Sequence, residues 1–444
     1  MPSEPNASAA PPSPKTTAAN ARWIFLCRHG AEAHLIAELQ ARGVAQASWL
    51  LSGAVEATFA AWPEDRLAQR ALVAAADPIY ALQVLPAVQR IAPGPVDRQA
   101  HAIADVLAQS LDGVDSFSLH ALLPGDLRGN PRPPGAGRRE RLLTALDARM
   151  SSIRRRTWRK RLQDDDASAA MRVQVLLDVD GDAAIGGGSL ELSVAPAVRQ
   201  PIGSPWPSAR PGGRQPVNDD PSAPASSFRK LAEAFGQLGA WPTRGEVALD
   251  LGASPGGWTV VLRRAGARVL AVDRAPLAPA LMRDRGVQHF AGDAFAFDAT
   301  PHLVGGGRID WLVSDIVAFP ARIIALLGEL GQIRRFGAGG PPRFVVVQMK
   351  FRGDPDLGAV AAGLAAAEAS GYIVRARHLC HDKNEVTIVA RYVGAPGVVG
   401  VAAGHVAGHA AGKVAGAASG EATAHDASDD APADASLDAE PEGA

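Results

Sequence analysis

Short strand-like and helix-like segments follow one another through residues 22–198. RWIFLCRHG (22–30) is a short apolar run typical of a strand, and in AEAHLIAELQARG the apolar residues recur at helical spacing until Gly43. Later segments of the same kind are VQRIA (88–92), RQAHAIADVLAQSL (98–111), SFSLHALL (116–123) and MRVQVLLDV (171–179). The pattern predicts an α+β region of one or two small domains.

Residues 226–392 have a different pattern, in which buried-strand runs alternate with helical segments. The runs are EVALDLG, RVLAVD, VQHFAGD, IDWLVSDI, RFVVVQMKF, YIVRARHL and EVTIVARYV. Apolar strands separated by crossovers of helical length predict a mainly parallel, seven-stranded α/β sheet covered on both faces. The stretch between the two regions, 199–225, is rich in proline and glycine and is predicted to be a linker.

Composition adds limits to this layout. The 444 residues suffice for two or three domains, and we expect the termini, 1–21 and 393–444, to be disordered because they offer little to bury. A net charge of -1 means that any nucleic-acid surface must be local. Without a signal-like or membrane-spanning segment, we expect a cytoplasmic monomer that contacts no membrane. Cys27 and Cys380 are too few for a disulfide framework.

The stretch LDLGASPGGWT (249–259) leads from a predicted strand into a glycine-rich turn, where doubly wound sheets bind ligands. Its spacing fits neither the dinucleotide fingerprint nor the phosphate loop. Asp250, Asp273 and Asp293 end successive strands, in positions suited to a ribose diol and an adenine edge. Three acids disfavour a pyrophosphate and favour a cationic nucleoside such as S-adenosylmethionine. A purely structural turn and a nicotinamide cofactor remain as alternatives.

Two further strand ends carry candidate chemistry. Asp315 follows the fourth predicted strand of the sheet and Lys350 ends the fifth. The sequence lacks the Asn/Asp-Pro-Pro-aromatic stretch of exocyclic-amine methyltransferases, and it has no cysteine here for pyrimidine C5 chemistry. A lysine that ends a buried strand is costly unless it is paired or functional, and a neutral lysine can accept the proton of a ribose 2′-hydroxyl. Lys230 and Glu385 complete the candidate set.

The order of Lys230, Asp315, Lys350 and Glu385 resembles the FtsJ-like ribose 2′-O-methyltransferases. SSFRKLAEAF, LDLGASPGGWT, VLAVD, WLVSDIV and ARHLCHDKNEVTIVAR are similar to the members of this family that act on bacterial 23S rRNA. The resemblance is specific over about 226–392 and thinner over 22–198. It implies a Rossmann-like class I methyltransferase domain preceded by a THUMP-containing RNA-binding region. The implied reaction is 2′-O-methylation of a cytidine in the peptidyl-transferase region, in 23S rRNA or a large-subunit assembly intermediate.

The resemblance also implies residue roles. Lys350 would accept the proton, and Lys230, Asp315 and Glu385 would complete a catalytic tetrad. The implied contacts to S-adenosylmethionine are Ser227, Ser254, Pro255, Gly256, Gly257, Asp273, Asp293 and Asp315. The chain departs from the family where Ser-Arg-x-x-x-Lys-Leu appears as Ser-Ser-Phe-Arg-Lys-Leu, and where GGG (305–307) and GAGGPP (337–342) lengthen loops.

A basic cluster between Arg132 and Arg161 predicts RNA contact, with Trp158 stacking on a base or ribose; a solvated helix face is the alternative. The spacing of His378, Cys380 and His381 fits zinc sites poorly, so we expect no metal. Lys383 is expected to be a solvated charge. The rival function is a non-catalytic RNA-binding or ribosome-assembly factor that retains the cofactor fold. RNA binding alone does not require the complete tetrad, so the presence of all four residues favours the enzyme.

Overall fold

The computed structural model of the protein describes residues 20–60, 63, 65–127, 133–177, 188–331 and 333–394. Most of the segments predicted to be disordered, the end of the strand predicted at 171–179 and the first residue of the basic cluster, Arg132, lie outside the described residues. The first strand begins at Asn20, within the predicted N-terminal segment. In the described part of the chain, no helix is long and apolar enough to cross a membrane.

The first sheet has four strands in the order β2-β3-β1-β4, each antiparallel to its neighbours. Its elements are β1 (Asn20–Cys27), α1 (Glu32–Ala41), β2 (Ala47–Leu51), β3 (Ala54–Ala60), α2 (Arg66–Ala75) and β4 (Ala81–Leu85). The central strand β1 is buried on both faces: Trp23 and Phe25 belong to one hydrophobic cluster, whereas Ile24 and Leu26 belong to another that includes Leu122. Alternation along β1 thus joins this sheet to the next one.

The second sheet has the order β5-β8-β7-β6, in which only β6 and β7 are parallel. Its elements are β5 (Gln89–Ile91), α3 (Val96–Ser110), β6 (Phe117–Leu122), α4 (Pro124–Leu127), α5 (Ala136–Ile153), α6 (Arg155–Trp158), β7 (Met171–Leu176) and β8 (Leu190–Pro196). A separate hydrophobic cluster lies between this sheet and helices α3 and α5. The predicted strands and helices of 88–123 are confirmed here, with small shifts at their ends.

Residues 206–213, within the predicted linker, pack closely along the first sheet and helix α2. The Trp206 ring lies 5.8 Å from that of Trp23, and its Nε1 donates to Ala76 O at 3.3 Å. The Gln83 side chain donates to Ser208 O and accepts from Ser208 N, at 3.0 and 2.7 Å. At Gly213, with φ +72°, an added Cβ would lie 1.9 Å from Leu82 O. The glycine therefore permits a close approach to β4 that no other residue could make.

The third sheet confirms the predicted α/β class with a mostly parallel, seven-stranded sheet, in the order β11-β10-β9-β12-β13-β15-β14. Its elements are α7 (Phe228–Leu238), β9 (Val247–Leu251), α8 (Gly257–Arg264), β10 (Arg268–Asp273), α9 (Pro279–Met282), β11 (Val287–Ala291), β12 (Trp311–Ser314), α10 (Pro320–Glu329), α11 (Ile333–Phe336), β13 (Phe344–Lys350), α12 (Leu357–Ala369), β14 (Tyr372–Arg377) and β15 (Glu385–Tyr392). Strand β15 runs antiparallel to both neighbours. Hydrophobic clusters cover both faces, as expected for crossovers on both sides.

A buried ion-pair cluster connects the first sheet's region to the end of β14. The Asp77 carboxylate accepts from Arg375 Nε and Nη2, both at 3.2 Å, and also from Arg377. Burial alone would raise the pKa of Asp77, but the two guanidinium groups outweigh it and lower the pKa to about 2. His378 N donates to Ile79 O at 2.9 Å. The N-terminal region thereby fixes the start of the loop 378–384 that precedes β15.

Candidate active site

The ends of three strands and one helix bring the four predicted tetrad residues together. Asp315 directly follows β12, and Lys350 is the last residue of the adjacent parallel strand β13. Glu385 is the first residue of β15 and lies opposite Lys350 in the antiparallel pairing. Lys230 lies in the first turn of α7. The carboxyl edge of the sheet, where ligands bind in doubly wound folds, therefore carries the set.

The four side chains form a chain of alternating charges. Lys350 Nζ lies 2.8 Å from Asp315 Oδ1 and donates to Asp315 O at 2.6 Å. Lys230 Nζ lies 3.6 Å from the same Oδ1 and 2.5 Å from Glu385 Oε1. Of the two amines, Lys230 therefore contacts two carboxylates and Lys350 contacts one. All four side chains are largely buried, which strengthens these interactions.

The pKa values of Lys230 and Glu385 are both shifted by their contact with each other. Burial lowers the pKa of Lys230, but the carboxylates of Asp315 and Glu385 outweigh it, so this pKa lies above its ordinary value. Burial raises the pKa of Glu385, but its hydrogen bond and attraction to Lys230 lower it below the ordinary value. Lys230 and Glu385 thus remain an ammonium and a carboxylate at neutral pH.

Sequence reasoning missed Glu233, which holds the loop before Glu385. It lies fully buried on α7, three residues after Lys230. Its carboxylate accepts from Cys380 N at 2.9 Å, from His381 N at 3.0 Å and from His381 Nδ1 at 2.7 Å. An acid on the same helix face as Lys230, within the apolar run KLAEAF, is the signal that could have identified it. These contacts account for Cys380 and His381 as loop residues.

Asp382 is a second buried support that the sequence did not reveal. It accepts from Leu379 N and Thr387 Oγ1, each at 2.9 Å, and from Gln348 Nε2 at 3.1 Å. Burial raises the pKa of Asp382 to about 8, and the negative charge of Glu233 adds to the rise. The Arg28 guanidinium, from the N-terminal region, donates to the carbonyl of Asp382. The loop that ends at Glu385 is therefore fixed from both sides.

The glycine-rich turn approaches two neighbouring segments more closely than a side chain would allow. Gly252 has φ +81°, and an added Cβ would lie 2.8 Å from Ile316 Cβ and 2.9 Å from Ile316 Cα. At Gly257, which begins α8, an added Cβ would lie 2.4 Å from Ser227 Oγ. Gly256, with φ +114°, has Leu281 as its nearest neighbour. The turn thus packs against the loop of Asp315 and against the start of α7.

Of the remaining predicted cofactor contacts, Ser227, Ser254, Pro255 and Asp273 lie on or beside this turn, whereas Asp293 follows β11. Asp273 accepts from Ser254 N at 3.0 Å and from Ala275 N at 2.9 Å, and Pro255 is exposed at the turn. Ser227 O accepts from Trp258 Nε1 at 3.0 Å. Asp293, at the end of the neighbouring strand, accepts from Phe295 N at 2.9 Å. That hydrogen bond, with Arg322 and Arg274 nearby, lowers the pKa of Asp293.

Asp250 has a buried oxygen without a partner. The residue is 1% exposed, and its Oδ2 accepts from Thr259 Oγ1 at 2.7 Å. Its Oδ1 has no hydrogen-bond partner among the described atoms. Burial raises the pKa of Asp250 to about 7, and the negative charges of Asp315 and Asp273 add to the rise. A bare glycine turn bordered by an unpaired buried carboxyl oxygen fits a nucleoside that carries a positive charge.

The structure overturns one prediction for the basic cluster. Trp158 is 7% exposed, its Nε1 donates to Asp147 Oδ1 at 2.6 Å, and its ring lies 5.5 Å from that of Phe117. Trp158 is therefore a core residue and is not available to stack on RNA. The neighbouring residues Arg154, Arg155 and Arg156 are exposed.

Comparison with known proteins agrees with this geometry. Residues 225–333 match the family of FtsJ-like methyltransferases. Relatives named Ribosomal RNA large subunit methyltransferase M include one from Halorhodospira halophila, 40% identical over 189 residues (42% of this chain, 51% of the relative). Another, from Thauera aminoaromatica, is 35% identical over 195 residues (41% and 49%). The chain spans about half the length of the curated relatives it matches. The resemblance and the FtsJ-like fold are confirmed; the THUMP assignment within 22–198 remains a prediction.

Proposed function

We propose that the protein transfers the methyl group of S-adenosylmethionine to the ribose 2′-hydroxyl of a cytidine in the peptidyl-transferase region of 23S rRNA. The observation that carries the proposal is the alternating set of Lys350, Asp315, Lys230 and Glu385 beside the glycine-rich turn. The names of the relatives support an rRNA substrate and a methyltransferase activity.

Bound S-adenosylmethionine would supply a sulfonium methyl group for transfer. The turn from Gly252 to Gly257 would hold its nucleoside, with Asp273 at the ribose diol and Asp293 at the adenine edge. In the proposal, the cofactor also contacts Ser227, Ser254 and Pro255. Asp315 would lie between the cofactor and the ribose that is methylated. The unpaired Oδ1 of Asp250 would accept from the cofactor's amino group.

The residues of the chain orient the ribose and remove its proton. With S-adenosylmethionine bound, Lys350 Nζ in its neutral form would accept the proton of the 2′-hydroxyl as that oxygen receives the methyl group. Asp315 positions the amine through both its carboxylate and its carbonyl oxygen. Lys230 remains protonated between Asp315 and Glu385 and so neutralises the two carboxylates. The tetrad thereby contributes orientation and deprotonation.

For the RNA, we propose that residues 22–198 form a THUMP-containing binding region. The exposed arginines at 154–156 would neutralise phosphates. In the proposal the protein acts as a cytoplasmic monomer on 23S rRNA or on a large-subunit assembly intermediate.

Methyl transfer from labelled S-adenosylmethionine tests the function. The substrates are 23S rRNA and large-subunit precursor particles, both from a strain that lacks the gene. We expect label in one cytidine, and the phosphodiester on the 3′ side of that cytidine should resist alkaline cleavage because its 2′-oxygen is methylated. If the cofactor binds but neither substrate is labelled, the alternative of a non-catalytic ribosome-assembly factor is favoured. Titration with NAD and with S-adenosylmethionine tests the nicotinamide alternative. If NAD binds more tightly than S-adenosylmethionine, the cofactor assignment is wrong.

A further inference from the structure

Two large apolar side chains are exposed on the loop that begins at Asp315. Val317 is 86% exposed and Phe319 is 63% exposed. Apolar side chains that are exposed together beside a ligand site can form part of a binding surface. Asp315 is in contact with Lys350, so this loop borders the place where a substrate must lie.

An arginine lies over the exposed ring. The guanidinium carbon of Arg352 is 5.1 Å from the centroid of the Phe319 ring, and Arg352 follows Lys350 by two residues. Among the residues that the structure describes, none forms an ion pair with Arg352. The neighbouring Arg322, by contrast, lies near Asp293 at 3.7 Å. Within the described part of the chain, no carboxylate therefore neutralises the charge of Arg352.

An exposed aromatic ring beside a guanidinium that has no acidic partner among the described residues matches the chemistry of a nucleotide. The ring offers a stacking surface for a base, and the guanidinium offers hydrogen bonds and charge to a phosphate. An apolar peptide would leave the arginine unused. The occupant that satisfies both groups is an unpaired nucleotide of RNA.

We infer that Phe319 and Arg352 form a platform on which a base of single-stranded RNA stacks, so that a ribose is positioned at Lys350. The inference rests on the proposed function and deepens it. Phe319 is then a positioning residue, and the platform favours nucleotides outside helices because a base within a helix is stacked on both faces.

The test uses the full chain and 23S rRNA from a strain that lacks the gene. Phe319→Ala should lower kcat/KM for the rRNA by roughly 5- to 100-fold, because the contribution of one stacked base is lost. The Kd for S-adenosylmethionine should stay unchanged. Phe319→Tyr, which keeps the ring, should restore kcat/KM to within a few-fold of the wild type.

Val304→Ala is the matched control, since Val304 is 84% exposed but precedes β12 and so lies at the opposite edge of the sheet. It should behave as the wild type. Arg352→Gln should reduce the salt dependence of rRNA binding, with a slope smaller by about one.

Two results would overturn the inference: unchanged rRNA kinetics in Phe319→Ala, or a Tyr variant no better than the Ala variant. If the wild type transfers no methyl group, the proposed function fails, and filter binding of the same rRNA decides the platform separately. Equal affinities of wild type and Phe319→Ala would then reject it.

Discussion

Lys350 and Glu385 lie directly opposite each other in the pairing of β13 with β15, yet their side chains contact different partners. Lys350 contacts Asp315, whereas Glu385 contacts Lys230. The register of two strands therefore places an amine and a carboxylate side by side without joining them directly. This separation leaves Lys350 with fewer acidic contacts than Lys230 has.

Replacement of Lys350 by alanine should abolish methyl transfer and leave binding of S-adenosylmethionine measurable. The proton acceptor is lost, and general-base catalysis contributes about 10²- to 10⁴-fold. Rates are measured with labelled cofactor, and binding is measured by calorimetry. Lys383→Ala is the control, because the Lys383 side chain is exposed two residues before Glu385. Normal activity of Lys350→Ala would exclude the mechanism.

Binding of S-adenosylmethionine should weaken as the pH falls from 7.5 to 6. The raised pKa of Asp250, about 7, means that its carboxyl is increasingly protonated in this range and loses its attraction for the cofactor's ammonium group. The Kd should rise roughly five- to tenfold, since one proton must be released on binding. Calorimetry across this range gives the profile. In the Asp250→Asn variant, the Kd should no longer depend on pH in this range. If the Kd of this variant still rises as the pH falls, another group is responsible.

The ion pairs of Asp77 should stabilise the fold except in strong acid. Its folded pKa of about 2 lies below the ordinary 3.8, so the stabilisation is present above pH 3.8 and is lost as the pH falls toward 2. The lowered pKa corresponds to about 2 kcal/mol of folding stability at neutral pH. The Asp77→Asn variant leaves two guanidinium groups without a charged partner, so its free energy of unfolding at pH 7 should be lower by about 3 kcal/mol.

Urea unfolding of wild type and Asp77→Asn at pH 7 and near pH 3 measures this contribution. The difference in free energy of unfolding between wild type and Asp77→Asn should be smaller near pH 3 than at pH 7. Asp105→Asn serves as the control, because Asp105 is exposed and lies 3.9 Å from Arg149, an arrangement that contributes little. A constant difference at both pH values would contradict the assignment to the carboxylate.

Gly252→Ala should destabilise the protein and weaken cofactor binding. Its φ of +81° strains any other residue, and its added Cβ would displace Ile316, which follows Asp315. We expect a loss of about 1–3 kcal/mol of unfolding free energy. Gly245→Ala separates the two causes, since Gly245 has φ +92° with no atom within 4 Å of the added Cβ. Similar losses in the two variants would show that contact with Ile316 is unimportant.

The sequence predicted the parts of the site that depend on strand ends. Buried runs in parallel strands mark their own carboxyl ends, and this is why Asp315 and Lys350 could be identified before their contacts were known. Glu233 and Asp382 could not be identified in this way, because their importance lies in burial and in bonds to a loop distant in sequence.

The N-terminal region was less predictable. Strand β2 and its partner β3 contain alanine, serine and glutamate among their apolar residues, so their periodicity is weak. Trp158 was misassigned because a run of arginines predicts an exposed face, whereas the short helix α6 turns this one side chain toward Phe117. The proline- and glycine-rich composition of 199–225 predicts the absence of regular structure, but it does not reveal that Trp206 is buried.

Arg28 and Ile79 contact the loop 378–384, and these contacts limit where the protein can be truncated. A fragment cut at residue 226 would contain every tetrad residue and Glu233, but it would lack Arg28 and Ile79, which hold the loop before Glu385 from the N-terminal side. Exchange of the N-terminal region between relatives would likewise change the contacts that position the loop before Glu385, although the tetrad residues themselves would stay the same. Truncated or chimaeric forms of the protein should therefore keep the span from β1 to β15 together.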